Sequence, residues 1–223
     1  MSPAITRILA IRHGETDWNA STRIQGHIDI PLNKMGRWQA KQLALALTHE
    51  TIDVIYASDL SRAFETARAV ARVQRKRVIA VPMLRERHFG VFQGRQFKDI
   101  EVELPEQAER WRKRDPEFCP EGGESLRVFY ERCANAARLL AAVHPGQTVA
   151  LVAHGGVMDC LYRAALRIDL QAPRSWALGN ASINRLLYTG EGFSLVGWSD
   201  TAHLDHAVLD EIPDSLGQQN RHV

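Results

Sequence analysis

The sequence is short of cysteine, of long apolar runs and of charge of one sign, and each shortage excludes something. Three cysteines occur in 223 residues, Cys119, Cys133 and Cys160, widely spaced and odd in number. With no Cys-x-x-Cys pair, neither a disulfide framework nor a zinc ribbon is expected, and reduced thiols in a cytoplasmic setting fit the pattern. No apolar stretch approaches the ~20 residues that cross a bilayer, so a membrane-spanning role is not expected. Near the N-terminus, Ile8-Leu9-Ala10-Ile11 is too short for the core of a secretion signal. The 28 basic residues face 26 acidic ones, for a net charge of +2, and no Lys/Arg block stands out. That balance argues against nucleic acid as a partner and leaves room for a small anion held by a few arginines.

What is present reads as an α/β chain. At 45% hydrophobic residues, 223 positions suffice for one core without disulfide or metal support. Residues 6–11 predict a buried strand that ends at Arg12-His13-Gly14, and residues 52–56 predict a second. Asn33 is placed to cap a helix bearing Trp38, Leu43 and Leu47. A helix is expected over 62–73, then a third strand over 78–84. Residues 89–123, with Pro105, Pro116 and Pro120, read as an insertion holding one or two short helices. Its apolar residues between Phe89 and Trp111 fit either a pocket roof or core, and core is the reading preferred. Ser125 is placed to cap a long helix over 126–143. Residues 148–153 form the clearest buried strand, running into His154-Gly155-Gly156 and a helix over 157–166. Residues 182–188 and 193–198 flank a Gly-rich turn as a hairpin. Residues 1–205 are expected to form one domain, and 206–223 a polar C-terminal tail.

Strands that alternate with helices imply a mostly parallel sheet covered on both faces. Ligands of such sheets sit beyond the carboxyl ends of the strands. Three of those ends carry Arg12-His13, Arg85-Glu86 and His154-Gly155, so the charged residues converge on one rim. A neutral imidazole is a good nucleophile toward phosphorus, which suits His13. The Arg12 guanidinium offers planar, paired donors for phosphate oxygens. Arg62, at the start of a helix, adds charge where free N–H groups already attract anions. His154 suits a second phosphate donor, and the Glu86 carboxyl a proton donor. Taken singly, each has an ordinary structural reading; their convergence is what points to phosphate chemistry. A catalytic metal is not expected, because Arg12 and Arg62 would repel a divalent cation and the His-Glu-x-x-His spacing is missing.

Arg12-His13-Gly14-Glu15-Thr16-Asp17-Trp18-Asn19 closely resembles the signature of the histidine phosphatase superfamily, also called phosphoglycerate mutase-like. Further segments follow that family's order: Gln25-Gly26, Ser58 to Ala67 with Arg62, Leu84-Arg85-Glu86, Gly122 to Ser125, and Val152 to Gly156. The resemblance runs from about Arg7 to His203. It implies a three-layer α/β/α sandwich with one antiparallel edge strand, and a phosphate pocket of Arg12, His13, Arg62 and His154 with Glu86 as proton donor. Thr16, Asn19, Gln25, Gly26 and the backbone around Gly155 match positions that line the substrate site in relatives. No cofactor is implied, the partner is a small phosphorylated substrate, and the resemblance is compatible with a homodimer.

The activity so implied is phosphomonoester hydrolysis through a phosphohistidine. A cofactor-dependent phosphoglycerate mutase would share the pocket. However, such relatives carry a longer insertion and a Tyr-Gly-Gly-type segment, where this chain has His88-Phe89-Gly90-Val91-Phe92-Gln93-Gly94. A phosphoprotein-binding regulatory module is the alternative from another class, and the complete set of matching residues counts against it.

Overall fold

The computed structural model describes residues 4–208. Its strands are β1 (Thr6–Arg12), β2 (Val54–Ala57), β3 (Val78–Ala80), β4 (Thr148–Ala153), β5 (Ile183–Thr189) and β6 (Gly192–Asp200). They form one sheet in the order β3-β2-β4-β1-β5-β6. The first four run parallel, while β5 runs antiparallel to β1 and pairs with β6 as a hairpin at the sheet edge. The helices are α1 (Asp17–Ala20), α2 (Lys34–Ala46), α3 (Ser61–Gln74), α4 (Phe97–Glu103), α5 (Pro105–Arg112), α6 (Leu126–Ala142) and α7 (Gly155–Leu166).

Both side-chain parities of the central strands are apolar, and this is why both faces are covered. Ile8 and Ala10 of β1, with Val149 and Leu151 of β4, pack against Phe129, Cys133 and Ala137 of α6 and Val157 and Leu161 of α7. Their neighbours Leu9, Ile11, Ala150 and Val152 face the other way, onto Leu43 of α2 and Val70 of α3. A strand buried on both faces reads as a continuous apolar run because period 2 no longer separates inside from outside. The insertion has a small core of its own, Phe92, Ile100, Ala108 and Phe118.

The expected caps are in place. Asn33 accepts from Gly36 N at 2.8 Å, and Ser125 accepts from Val128 N at 3.2 Å. The third strand is shorter than its apolar run suggests. It stops at Ala80 and gives way to a 3₁₀ turn, Pro82–Leu84, because Pro82 has no N–H for the ladder. Helix α7 begins two residues earlier than expected, straight after His154. A 3₁₀ turn, Ala202–Val208, takes in the first residues read as tail; residues from 209 onward lie outside the described part. No described helix is long and apolar enough to cross a membrane.

Candidate active site

The carboxyl ends of β1 and β4 are adjacent, with Arg12 in register with Ala153. His13 and His154, one residue beyond, therefore meet with ring centroids 5.2 Å apart. Both are buried. The His13 loop rests directly on the first turn of α2. A Cβ built on Gly14 would lie 2.4 Å from the Gly36 carbonyl oxygen, and one on Gly36 would lie 2.0 Å from that of Glu15. Only two glycines allow this approach. Gly14 N also donates to the Thr66 hydroxyl of α3 at 3.1 Å, and Asn180 donates to the His13 carbonyl at 3.0 Å.

The ring orientation of His13 follows from its neighbours. Nδ1 lies 2.6 Å from the Gly14 carbonyl oxygen, which can only accept, so Nδ1 carries the proton and Nε2 keeps its lone pair. His154 is set the opposite way round. Its Nε2 lies 2.9 Å from Ser58 Oγ. That hydroxyl already accepts from Leu60 N at 3.3 Å, so its own proton is directed to Nε2 and the imidazole proton is assigned to Nδ1. That Nδ1 is buried without a partner, as are Arg12 Nε and Arg62 Nε.

Arg62 is almost wholly buried at 1% exposure. It is pinned by carbonyls of the preceding loop, donating to Gly26 O at 2.8 Å and Ile28 O at 3.0 Å. Gly26 takes φ +55°, a conformation that turns the loop over the guanidinium at little cost only for glycine. Arg12 donates to the Leu178 carbonyl, and its guanidinium lies beside Gly155, where a Cβ would be 3.4 Å from Arg12 Nε. Burial lowers the Arg12 and Arg62 pKa values, that of Arg62 to about 10, while Glu86 opposes the change in both. Glu86 is held by two backbone donors, Arg87 N on Oε1 and Gly156 N on Oε2, at 2.8 and 2.9 Å.

Of the residues expected at the site, Arg12, His13, Arg62, Glu86, His154 and Gly155 are thus brought together. Thr16 and Asn19 are occupied locally as a capping box for α1: the Thr16 hydroxyl donates to Asn19 Oδ1 and accepts from Asn19 N. Asn180 joins that cap to His13 through Asn19 Oδ1 at 3.3 Å. Gln25 is buried beside Gly26, with Oε1 free of partners. Thr66 lies in the Ser58 to Ala67 segment that carries the resemblance, whereas supporting residues with no sequence signal of their own include Asn180 and Arg132. The last binds Glu124 and the backbone carbonyls of Met83, Arg85 and Glu86, tying α6 to the Glu86 segment. His27 Nε2 reaches the same Glu86 carbonyl at 2.8 Å. A larger concavity of about 770 Å³ between α2 and α3 contains none of these grouped residues.

Burial foremost, then Arg62 and Arg12, holds the His13 pKa well below the usual histidine range, against the opposing Gly14 hydrogen bond. His154 is lowered in the same direction by burial, Arg62, His13 and Arg12. Both rings therefore stay neutral in the fold at pH values where free imidazole is half protonated. By NMR, the ring signals lost in His13→Ala should not titrate between about pH 8 and 6; a midpoint at ~6.5 would contradict the arrangement. The stability effect has the matching sign. Below ~6.5 the unfolded chain takes up protons that these two rings refuse in the fold. Their contribution to stability should therefore fall with decreasing pH, by up to about 1.4 kcal/mol per unit for each.

Comparison with known proteins places the chain. Residues 8–201 match the model of the histidine phosphatase superfamily (branch 1). The chain belongs to that superfamily. It is 40% identical to an Arabidopsis thaliana metal-independent phosphoserine phosphatase over 90% of this chain and 84% of the relative. It is 38% identical to Arabidopsis thaliana phosphoglycerate mutase-like protein 4, over 89% and 86% respectively. Among solved structures it resembles a mycobacterial glucosyl-3-phosphoglycerate phosphatase complexed with VO3. That match has a TM-score of 0.78 at 32% identity, covering 86% of this chain and 98% of the other.

Proposed function

We propose that the protein hydrolyses small phosphomonoesters through a phosphohistidine at His13. The observation that carries this reading is the set of three buried nitrogens without partners, Arg12 Nε, Arg62 Nε and His154 Nδ1, beside an imidazole whose Nε2 is free. A buried N–H costs about 1–3 kcal/mol when unpaired. Three donors grouped around one nucleophile are recovered together when a phosphate supplies the acceptors. The names of the phosphoserine and glucosyl-3-phosphoglycerate phosphatases it resembles support the same class of substrate.

The reaction runs in two displacements. His13 Nε2 attacks phosphorus as the ester P–O bond breaks, while Arg12, Arg62 and His154 stabilise charge on the equatorial oxygens. Glu86 gives its proton to the leaving alkoxide, and a group in this role typically contributes ~10²–10⁴-fold. Water then attacks the phosphohistidine, passing a proton to Glu86; phosphate leaves and His13 is regenerated. The two backbone N–H groups on Glu86 fix its position beside Gly156 for both steps.

The experiment that tests this reading follows phosphate release and 3- to 2-phosphoglycerate interconversion side by side on a panel of phosphomonoesters, with and without EDTA. Release that survives EDTA supports the hydrolase; interconversion with little release would transfer the chain to the mutases. Glu86→Gln provides the second arm. Alkyl phosphates should lose ~10²-fold or more in kcat, and 4-nitrophenyl phosphate far less, because its leaving group needs little protonation. Equal losses on both would remove Glu86 from the acid role.

A further inference from the structure

The concavity of about 770 Å³ between α2 and α3 is apolar at its base and cationic at its edges. Ala40 and Ala44 of α2 line it with Phe64 and Ala69 of α3, and the small side chains leave a furrow between the helices. Leu45 and Val73, near the ends of the two helices, stay 54% and 37% exposed. Arg37, Lys41, Arg68 and Arg72 stand along it, exposed and without an ion pair among the described residues. Three carboxylates also line it. Asp59 is bound to Arg85, and Asp29 accepts from Ser61 N and Oγ at 2.8 Å, which leaves Glu65 alone against four cations. The surface continues as a second concavity of about 380 Å³, which shares Phe64, Arg68 and Arg72 and adds Lys76 and Arg77 with no carboxylate.

Such a groove suits an acidic segment that brings apolar side chains of its own. The chain has one within reach. The described residues end in the 3₁₀ turn Ala202–Val208, which packs against α2. The sequence then reads Leu209-Asp210-Glu211-Ile212-Pro213-Asp214-Ser215-Leu216, with three carboxylates, three large apolar residues and no cation. The turn follows β6 at one end of the sheet, whereas α3 packs on β2 and β3 at the other, so the segment has α2 to cross. Its length allows this. Eight extended residues reach about 26 Å, at ~3.3 Å each. The groove from Phe64 to Val73 rises about 14 Å along α3, which leaves about 12 Å for a helix roughly 10 Å wide.

We propose that residues 209–216 dock in the α2/α3 groove of their own chain. Asp210, Glu211 and Asp214 meet Arg37, Lys41, Arg68 and Arg72, while Leu209, Ile212 and Leu216 cover the apolar base. Docked in this way, the segment straps α2 to α3. The His13 loop rests on these same two helices, through Gly36 and Thr66. The docking does not depend on the phosphatase reading and stands or falls apart from it.

A nitroxide label tests it on the full chain, attached at Ser215→Cys with the exposed Cys119 changed to Ser; Cys133 and Cys160 are buried and escape labelling. At ~0.01 M salt, where exposed charges act over about 30 Å, amide signals of residues 37–45 and 64–73 should be broadened at least about twofold relative to the reduced label. Arg68→Glu with Arg72→Glu should release the segment and return those signals, and adding Asp210→Lys with Asp214→Lys should restore the broadening. If the reversed-charge variants fail to fold, raising the salt to ~1 M, which screens beyond about 3 Å, provides the same contrast in the unreversed protein. Signals of both helices left sharp, or broadening confined to the rim around Asn19 and Asn180, would overturn the assignment. So would broadening that neither salt nor charge reversal reduces. A mixture of labelled chain with unlabelled, isotope-enriched chain identifies the other possible occupant: broadening in the enriched chain would give the groove to the tail of a second copy and likewise overturn docking within one chain.

Discussion

In the His13→Ala variant, phosphate release should fall by about 10⁴-fold or more, and the acid-labile, base-stable phosphoprotein trapped by rapid quench should disappear. Alanine removes the ring nitrogen of His13 that is left without a proton, and no neighbour replaces it. His154 is the nearest candidate, yet its Nε2 is already engaged by Ser58 and its free nitrogen carries the proton. Binding should survive better than turnover, since Arg12, Arg62 and His154 all remain to hold phosphate. A variant that keeps robust turnover, or that still accumulates phosphoprotein, would rule out His13 as the nucleophile.

The largest effect on stability is expected at Arg163, which has no exposure and no part in the proposed chemistry. It donates to Asp159 on its own helix and to the carbonyls of Asp169 at 2.5 Å and Ala172 at 2.9 Å. It also lies over the Trp176 ring at 4.8 Å. Removing one partner of a buried ion pair strands the other's charge, which costs ~3–5 kcal/mol. Arg163→Ala should therefore lower Tm by about 10 °C, at some 2–4 °C per kcal/mol for a chain of this size. The loop it anchors, which carries Arg174 and Trp176, should also become more open to proteolysis. Arg114 Nη2 also binds Asp159 Oδ2, at 2.7 Å. A Tm within ~2 °C of wild type would mean that Arg114 alone compensates Asp159.

How much of this was legible in the sequence depended on how locally each feature is encoded. The apolar run of β4 and the caps at Asn33 and Ser125 are written within a few residues, and the structure holds all three. The Arg12-His13-Gly14 and His154-Gly155 pairs could be found because each follows its strand directly. Pro82 ended the third strand where hydrophobicity alone carried it on to Leu84. Asn180, Arg132 and the Arg114–Asp159–Arg163 group were invisible for a different reason. Their partners lie far away in the chain, as with Asn180 and His13, or, as with Asp159 and Arg163, read as an ordinary helical i,i+4 pair. The insertion is a mixed case: Phe92 and Ile100 form the expected core, while Phe89 and Trp111 line a cavity that periodicity could not indicate.

The position of β4 between β2 and β1 also sets when the protein can become active during its synthesis. A nascent chain that has reached residue 145 already contains His13, Arg62 and Glu86, but its strands are two separate ribbons, β2 with β3 and β1 alone. The His13 loop can already reach α2 and Thr66 of α3, yet β1 has no strand beside it on this side and His13 no second ring. Only when residues 148–153 thread into the gap does β1 acquire its parallel neighbour and His13 its companion ring. Enzymatic activity in a ribosome-arrest series should accordingly be silent until β4 has cleared the exit tunnel, and its onset would time the closure of the sheet.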